Sequence, residues 1–442
     1  MMNLLFRTVG PYSGLDYHEF SKEVDVISWD AYPAWHSPGQ KMPDLAADVG
    51  FMHDLYRSMK KGQPFLVMEN TPSLVNWHKV NKLKKPGMHK LSSIQSIAHG
   101  ADSNLYFQWR KSRGGPEKFH GAVVSHTGHT QTRVFQEVAE VGKILDKISE
   151  IAGTTIRSEA AVLYDWENQW AIDDAQALKP EDKHYIEVCQ EHSRALRKQG
   201  ITVDVVSPQM EWNDYKLVVA LMLYMVREGM GDRLETFVKN GGTLVMTYWS
   251  GLVNESDLCF LGGSPGPLRN LLGIWSEEID SLYENEKNSI IMKKNSTFPL
   301  SGMYKASDYC EIIHPENAIV LAEYGGDFYK GGAALTVNRI EKGMAYYMAA
   351  RFEKKCLDDF YRFLIRKQQL QKVLETDLPE GVSMTKRMGD DYAYIFIMNF
   401  NEVKTEVNLP HGFHGIELLS ESTVKDMVSL SPYGVSIIKI QK

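Results

Sequence analysis

The feature that constrains this chain most is an alternation of short apolar runs with helix-like segments. Apolar runs at residues 3–6, 24–29, 65–68 and 104–109 predict strands. Between them, residues 44–61 place Leu45, Val49, Met52, Leu55 and Met59 near a period of 3.6, the spacing of an amphipathic helix. Gly62 follows, where a helix-ending glycine belongs. Residues 132–151 read the same way, through Val134, Val138, Val141, Leu145 and Ile148. A strand followed by a helix that covers it is the unit of a parallel sheet. Four such units are visible in the first 155 residues.

The alternation continues in residues 157–372. AAVLYD at 160–165, ITVDVVS at 201–207, the continuous apolar run LVVALML at 217–223 and TLVMTYW at 243–249 read as strands. Residues 183–199 and 233–240 read as helices ending at Gly200 and Gly241. An unbroken apolar run fits a strand buried on both faces, so this region is a doubly wound α/β pattern. Shorter strands with glycine-rich turns follow at 318–324, 333–340 and 345–350, then a helix at 358–370. The last 60 or so residues change character: YAYIFIMNF, EVKTEVNLP and GVSIIKI are strands between polar turns, as in a small antiparallel β-domain. The expected domains are residues 1–155, 156–375 and 376–442. A length of 442 residues accommodates about three.

Composition narrows the function. With 49 basic against 56 acidic residues the formal charge is -7, which gives no electrostatic reason to expect nucleic acid or an anionic membrane as partner. No apolar stretch approaches the roughly 18 residues of a membrane span. MMNLLFRTVGPYSG holds too short an apolar run for a secretory signal. Cys189, Cys259, Cys310 and Cys356 are widely spaced and form no CxxC, against both a disulfide framework and a zinc cluster. The expectation is a reduced, cytoplasmic protein without a metal or other cofactor.

The chemistry concentrates at strand ends. FLVMENTPS (65–73) delivers Glu69 at the end of an apolar strand, with Asn70, Thr71 and Pro72 directly after it. In a β/α barrel, polar residues at that end line the active site. A carboxylate held there serves as nucleophile or general base; the plainer reading is a solvated glutamate at a loop mouth. VISWDAYPAWH (26–36) ends another strand with Trp29, Asp30, Tyr32 and Trp35. YFQWRKSRGGPEKFHGA (106–122) ends a third with Gln108, Trp109 and Arg110, then Glu117 and His120. Aromatics mixed with acids and amides suit a sugar, whose C–H faces stack on rings while its hydroxyls need polar partners. A nucleotide site would instead need a glycine-rich phosphate loop, and neither GxGxxG nor GxxxxGK[ST] occurs.

Residues 24–122 resemble the second half of the catalytic barrel of glycoside hydrolase family 42, the bacterial β-galactosidases. The matching pieces are D-x-x-S-W-D-x-Y-P (25–33), M-E-N-T-P-S (68–73), Trp77 eight residues after Glu69, and F-Q-W-R-x-S-R-x-G-x-E-K-F-H (107–120). The rest of the chain is similar in layout to that family. The resemblance implies the C-terminal half (strands 5–8) of a (β/α)8 TIM barrel, then a flavodoxin-like α/β trimerisation domain, then a small antiparallel β-domain. It implies retaining hydrolysis of terminal non-reducing β-D-galactose from β-galactosides. Glu69 maps onto the nucleophile, on the seventh barrel strand. Trp77 would wall the galactose subsite, Glu117 and His120 would bind galactose hydroxyls, and Tyr32 would donate a hydrogen bond to the nucleophile. Trp77 and Tyr32 also read as packing residues, His120 as a surface helix histidine, and Trp109 and Arg110 equally as packing and ion pairing around the eighth strand. A homotrimer is implied, with Trp166, Trp170, Trp212 and Trp249 as interface or core aromatics.

The family's acid/base glutamate lies in an Asn–Glu pair after the fourth strand, and residues 1–6 align with the fifth. Asn168 follows Glu167 in reverse order and lies in the second domain, so it is no substitute. The general acid and the family's cysteine-rich metal site are therefore expected to be missing. A fragment of a longer gene, a split gene whose separate chain supplies the first half, and a decayed copy would each produce that pattern. Two other functions compete with catalysis: a galactoside-binding or oligomerising protein without turnover, and an amidotransferase-like second domain. The latter lacks a cysteine at a strand–helix elbow, since Cys189 falls within a helix and Cys259 in a glycine-rich loop.

Overall fold

A computed structural model describes residues 14–176, 179–294 and 298–442. The chain divides into two compact units. One gathers the chain up to Arg157 together with Arg197–Asp204 and Lys372–Lys442; the other holds Ser158–Leu196 and Val205–Gln371.

The first unit opens with α1 (Tyr17–Lys22), whose first turn is capped by the Asp16 carboxylate accepting from His18 N and Glu19 N. Three strands follow, β1 (Ser28–Ala31), β2 (Phe65–Asn70) and β3 (Ala101–Asn104), paired in parallel in the order β1-β2-β3. They are joined by α2 (Met42–Met59), with Pro43 in its first turn, and α3 (Met88–Ala98). α4 (Arg133–Lys147) starts at Thr132, whose hydroxyl caps Phe135 N. The helices cover one face of the sheet: Phe65 and Val67 are fully buried, whereas Met68 is exposed. Trp29 of β1 stacks on Tyr56 of α2 with ring centroids 5.0 Å apart.

Some boundaries differ from the sequence expectation. The run 3–6 lies outside the described residues. The strand expected at 24–29 begins only at Ser28, where pairing with Leu66 starts. The strand expected at 104–109 is instead the polar ADSN, because Ala101 and Asn104 fall opposite Phe65 and Val67. Pairing and burial override propensity in such short strands. α3 carries no clear apolar stripe, since its serines are buried along with Leu91, Ile94 and Ile97, so periodicity does not reveal it.

Residues 382–441 add seven short strands where three were expected. Val382–Met388, Tyr392–Asn399 and Val435–Gln441 lie side by side in an antiparallel sheet whose one edge is Val382–Met388, with Ile395, Ile397 and Ile438 in its core.

In the second unit, β4 (Ala160–Leu163), β5 (Leu217–Ala220) and β6 (Thr243–Thr247) are parallel, entirely buried, and ordered β4-β5-β6. Gly343–Met348 pairs in parallel with β6, and the sheet then continues as antiparallel strands. The long strand Met303–Pro315 is absent from the sequence reading because the consecutive polar residues Ser307 and Asp308 break its alternation, and its pairing shifts register between Ser307 and Cys310. Trp166, Trp212 and Trp249 are wholly buried, which makes them core residues, while Trp170 is half-buried. Cys189 does lie within a helix, Tyr185–Arg197. No helix among the described residues is long and apolar enough to cross a membrane.

Candidate active site

Glu69 lies one residue before the end of β2, where pairing with both neighbours persists: Asp30 stands opposite Glu69 in register, and Leu105 N and Phe107 N donate to the carbonyls of Val67 and Asn70. Two residues beyond Asp30 the chain places Tyr32, 5% exposed. Its hydroxyl donates to Glu69 Oε2 at 2.7 Å. Burial, then the Glu69 carboxylate, then Asp30 and Glu117 push the Tyr32 phenol far up, so it remains a donor at any working pH. Asp30 is raised to about 6, first by burial and then by Glu69. Its buried Oδ1 accepts no hydrogen bond among the described residues.

Two further segments close around Tyr32. The loop after β2 brings Trp77, whose ring meets Tyr32 edge-on at 5.7 Å and stays 37% exposed, leaving aromatic surface open. The segment after β3 brings His120, edge-on to Tyr32 at 5.9 Å and to Phe107 at 5.0 Å. His120 is buried, with Nδ1 2.9 Å from the Gly121 carbonyl. Glu117 sits in the short helix Pro116–Phe119, half-buried, with Oε2 buried and without a hydrogen bond among the described residues. Asn76 Nδ2 donates to the Pro116 carbonyl at 2.6 Å and so ties these two segments together. Gly121 lets them meet: its N–H donates to Leu74 O at 2.7 Å, and a Cβ there would lie 2.6 Å from Thr71 Oγ1 and 2.7 Å from Leu74 O. Any side chain at Gly121 would push His120 away from Tyr32.

Glu69, Tyr32, Trp77 and His120 thus converge from three stretches of sequence, and Glu117 acts on Tyr32 electrostatically from the same side. Trp109 does not pack as a core residue; it is 67% exposed. Sequence reasoning missed Gly121 and the buried polar contacts that join Lys84 to Asn70 and Asn70 to Asn104. The two asparagines carried a readable signal, since both sit at the ends of neighbouring strands, whereas nothing local marks Lys84 as buried. Among the described residues no three His, Cys, Asp or Glu side chains gather as a metal ion would require. The arrangement offers a carboxylate oriented by a phenol beside an open aromatic face and a second carboxylate, which suits attack on a sugar carbon.

Comparison with known proteins agrees in every segment. Profiles described as "Beta-galactosidase", "Beta-galactosidase trimerisation domain" and "Beta-galactosidase C-terminal domain" match residues 1–148, 158–371 and 381–439. The chain is 48% identical over 429 residues to the β-galactosidase Pbg of Clostridium perfringens, covering 97% of this chain and 62% of that protein. It is 47% identical over 431 residues to BglY of Alicyclobacillus acidocaldarius, covering 98% and 62%. Among solved structures it superposes on the β-galactosidase of Rahnella sp. R3 with a TM-score of 0.94 at 47% identity, covering 98% of this chain and 62% of that one. Gan42B, a GH42 β-galactosidase from G. stearothermophilus, gives 0.93 at 48% identity with the same coverage. The chain spans 62% of the length of these relatives. On three profiles of one family, and on identity near one half along almost its whole length, the chain belongs to glycoside hydrolase family 42.

Proposed function

We propose that this chain carries the nucleophile side of a retaining β-galactosidase acting on terminal β-D-galactose. The observation that carries the reading is the 2.7 Å hydrogen bond from Tyr32 to Glu69 at the end of β2, with Trp77 and His120 packed around the same phenol. Glu69 attacks the anomeric carbon as the bond to the leaving oxygen breaks, forming a galactosyl ester. Water then attacks the anomeric carbon, a general base takes the water's proton, and Glu69 leaves as carboxylate. The Tyr32 hydrogen bond leaves one Glu69 oxygen free to attack. Trp77 stacks on galactose, and Glu117 and His120 bind its hydroxyls.

A retaining mechanism also needs an acid/base carboxylate about 5 Å from the nucleophile. We assign it to a part of the barrel outside these residues, with β1, β2 and β3 corresponding to its sixth to eighth strands. The half-exposed face of β2 fits a surface that further strands complete. The second unit is assigned to a homotrimer in the cytoplasm, its exposed Leu258, Leu261, Tyr283 and Phe328 being surface that assembly would cover.

Trapping tests the assignment. The whole protein that carries this chain is incubated with a 2-fluoro-galactoside bearing a reactive leaving group, and the modified peptide is identified by mass spectrometry. Labelling on Glu69, lost in Glu69→Ala, is expected. Binding without labelling would overturn the enzyme in favour of a galactoside-binding protein.

A further inference from the structure

Lys84 is 3% exposed, in the loop between β2 and α3. Its Nζ donates to Asn70 Oδ1 at 3.2 Å and to the Thr71 carbonyl at 2.5 Å, the two residues directly after Glu69. Both acceptors are neutral. Burying an ammonium against neutral oxygens is unfavourable, and an apolar side chain of the same volume would avoid that penalty. Burial accordingly pulls its pKa down to about 7, against a weaker upward pull from Glu137.

The acceptors show what the cation holds. Asn70 passes the contact on, its Nδ2 donating to Asn104 Oδ1 at 3.3 Å across to β3. Asn104 Nδ2 donates to the Tyr106 hydroxyl at 3.4 Å, which lies 3.4 Å from Ser93 Oγ on α3. The backbone of Asn70 is pinned as well, by Phe107 N to its carbonyl at 3.0 Å. The strand end that presents Glu69 is therefore fixed on two sides: Tyr32 on the carboxylate, and Lys84 with the asparagine pair on the backbone just beyond it.

We infer that Lys84 is a positioning residue for the nucleophile, holding Asn70 and Thr71 so that the Glu69 carboxylate meets the anomeric carbon. It touches no reacting atom, and its role rests on the assignment of Glu69 as nucleophile. A displacement of about 1 Å at a reacting group costs on the order of a hundredfold in rate.

The test is the kinetics of Glu69 trapping in the whole protein. In Lys84→Met the maximal labelling rate, kinact, is expected to fall by about a hundredfold while the inhibitor constant KI changes less than about threefold, the pattern of a lost transition-state interaction. Lys183→Met is the control. Lys183 is an equally buried lysine whose Nζ donates to the carbonyls of Ile172, Asp173 and Ala175, remote in sequence from Glu69. It should lose thermal stability and keep kinact. If Lys84→Met does not accumulate in folded form, Lys84→Gln, which retains a donor, is read in the same way with a smaller fall. A folded Lys84 variant with wild-type kinact, or one whose loss lies wholly in KI, overturns the positioning role while normal wild-type labelling leaves Glu69 standing. A wild type that hydrolyses galactosides without labelling at Glu69 overturns the nucleophile and the positioning role together.

Discussion

The contact that orients the Glu69 carboxylate joins it to Tyr32, 37 positions away. A hydrogen bond to a charged acceptor contributes about 1.5–3 kcal/mol. Tyr32→Phe keeps the ring that Trp77 and His120 pack on and removes only that bond. It should lower kcat/KM for a nitrophenyl β-galactoside by roughly 10- to 100-fold with little change in melting temperature. Lys84 makes a second residue-scale prediction, through pH. Its pKa is lowered from 10.5 to about 7 by burial, so above about pH 7 the unfolded chain holds a proton that the folded chain has released. Folding stability relative to Lys84→Met should therefore rise with pH from about 7 towards 10.5, by at most about 1.4 kcal/mol per unit. Urea melts of both proteins at pH 7 and 8.5 would measure it; parallel lines would contradict the burial of an ionisable amine.

At the scale of elements, α2 and α3 are locked to the segment Arg197–Asp204 by a buried charge network. Asp54 on α2 accepts from Arg57 Nη2 at 3.1 Å, lies 2.9 Å from His99 Nδ1, and pairs with Arg197, while Arg57 Nη1 reaches Asp204 at 2.7 Å. Burial alone would raise Asp54, but Arg197, His99 and Arg57 hold it well below the usual carboxylate range. Asp54→Ala would leave two guanidinium groups short of their shared carboxylate. Breaking one side of a buried pair costs about 3–5 kcal/mol, so a large drop in melting temperature is expected. Little of this network was legible in advance. The 3.6 period locates α2 but does not report what covers His53, Asp54 and Arg57. They are buried because another stretch of chain, distant in sequence, packs over them.

At the scale of the molecule, the chain leaves its first unit after Arg157, returns to it over Arg197–Asp204 and rejoins it finally at Lys372. Arg387 fastens that return. Its wholly buried guanidinium donates to the carbonyls of Ile97, Ala101 and Thr154, to Thr154 Oγ1 and to Asp102 Oδ1. Arg387→Ala strands these acceptors and should destabilise the first unit by about 3–5 kcal/mol, seen as an earlier unfolding step in calorimetry. Assembly belongs to this scale too. Sedimentation equilibrium of the whole protein should give three times the subunit mass, and Leu261→Asp combined with Phe328→Asp should shift it towards monomer. Both side chains are heavily exposed, so a single subunit should tolerate the change.

Local sequence alone carries the parallel β/α order, the buried strands of the second unit and the strand that delivers Glu69. Each of these depends on local periodicity, and a continuous apolar run has few alternatives to a buried strand. Packing between distant segments decided that Tyr32 reaches Glu69, that ADSN rather than the aromatic run forms β3, that Trp166, Trp212 and Trp249 are core, and that Lys84 lies buried against Asn70 and Thr71. Those outcomes depend on pairing between distant segments, and a residue's own neighbours in sequence do not report which strand or loop will cover it.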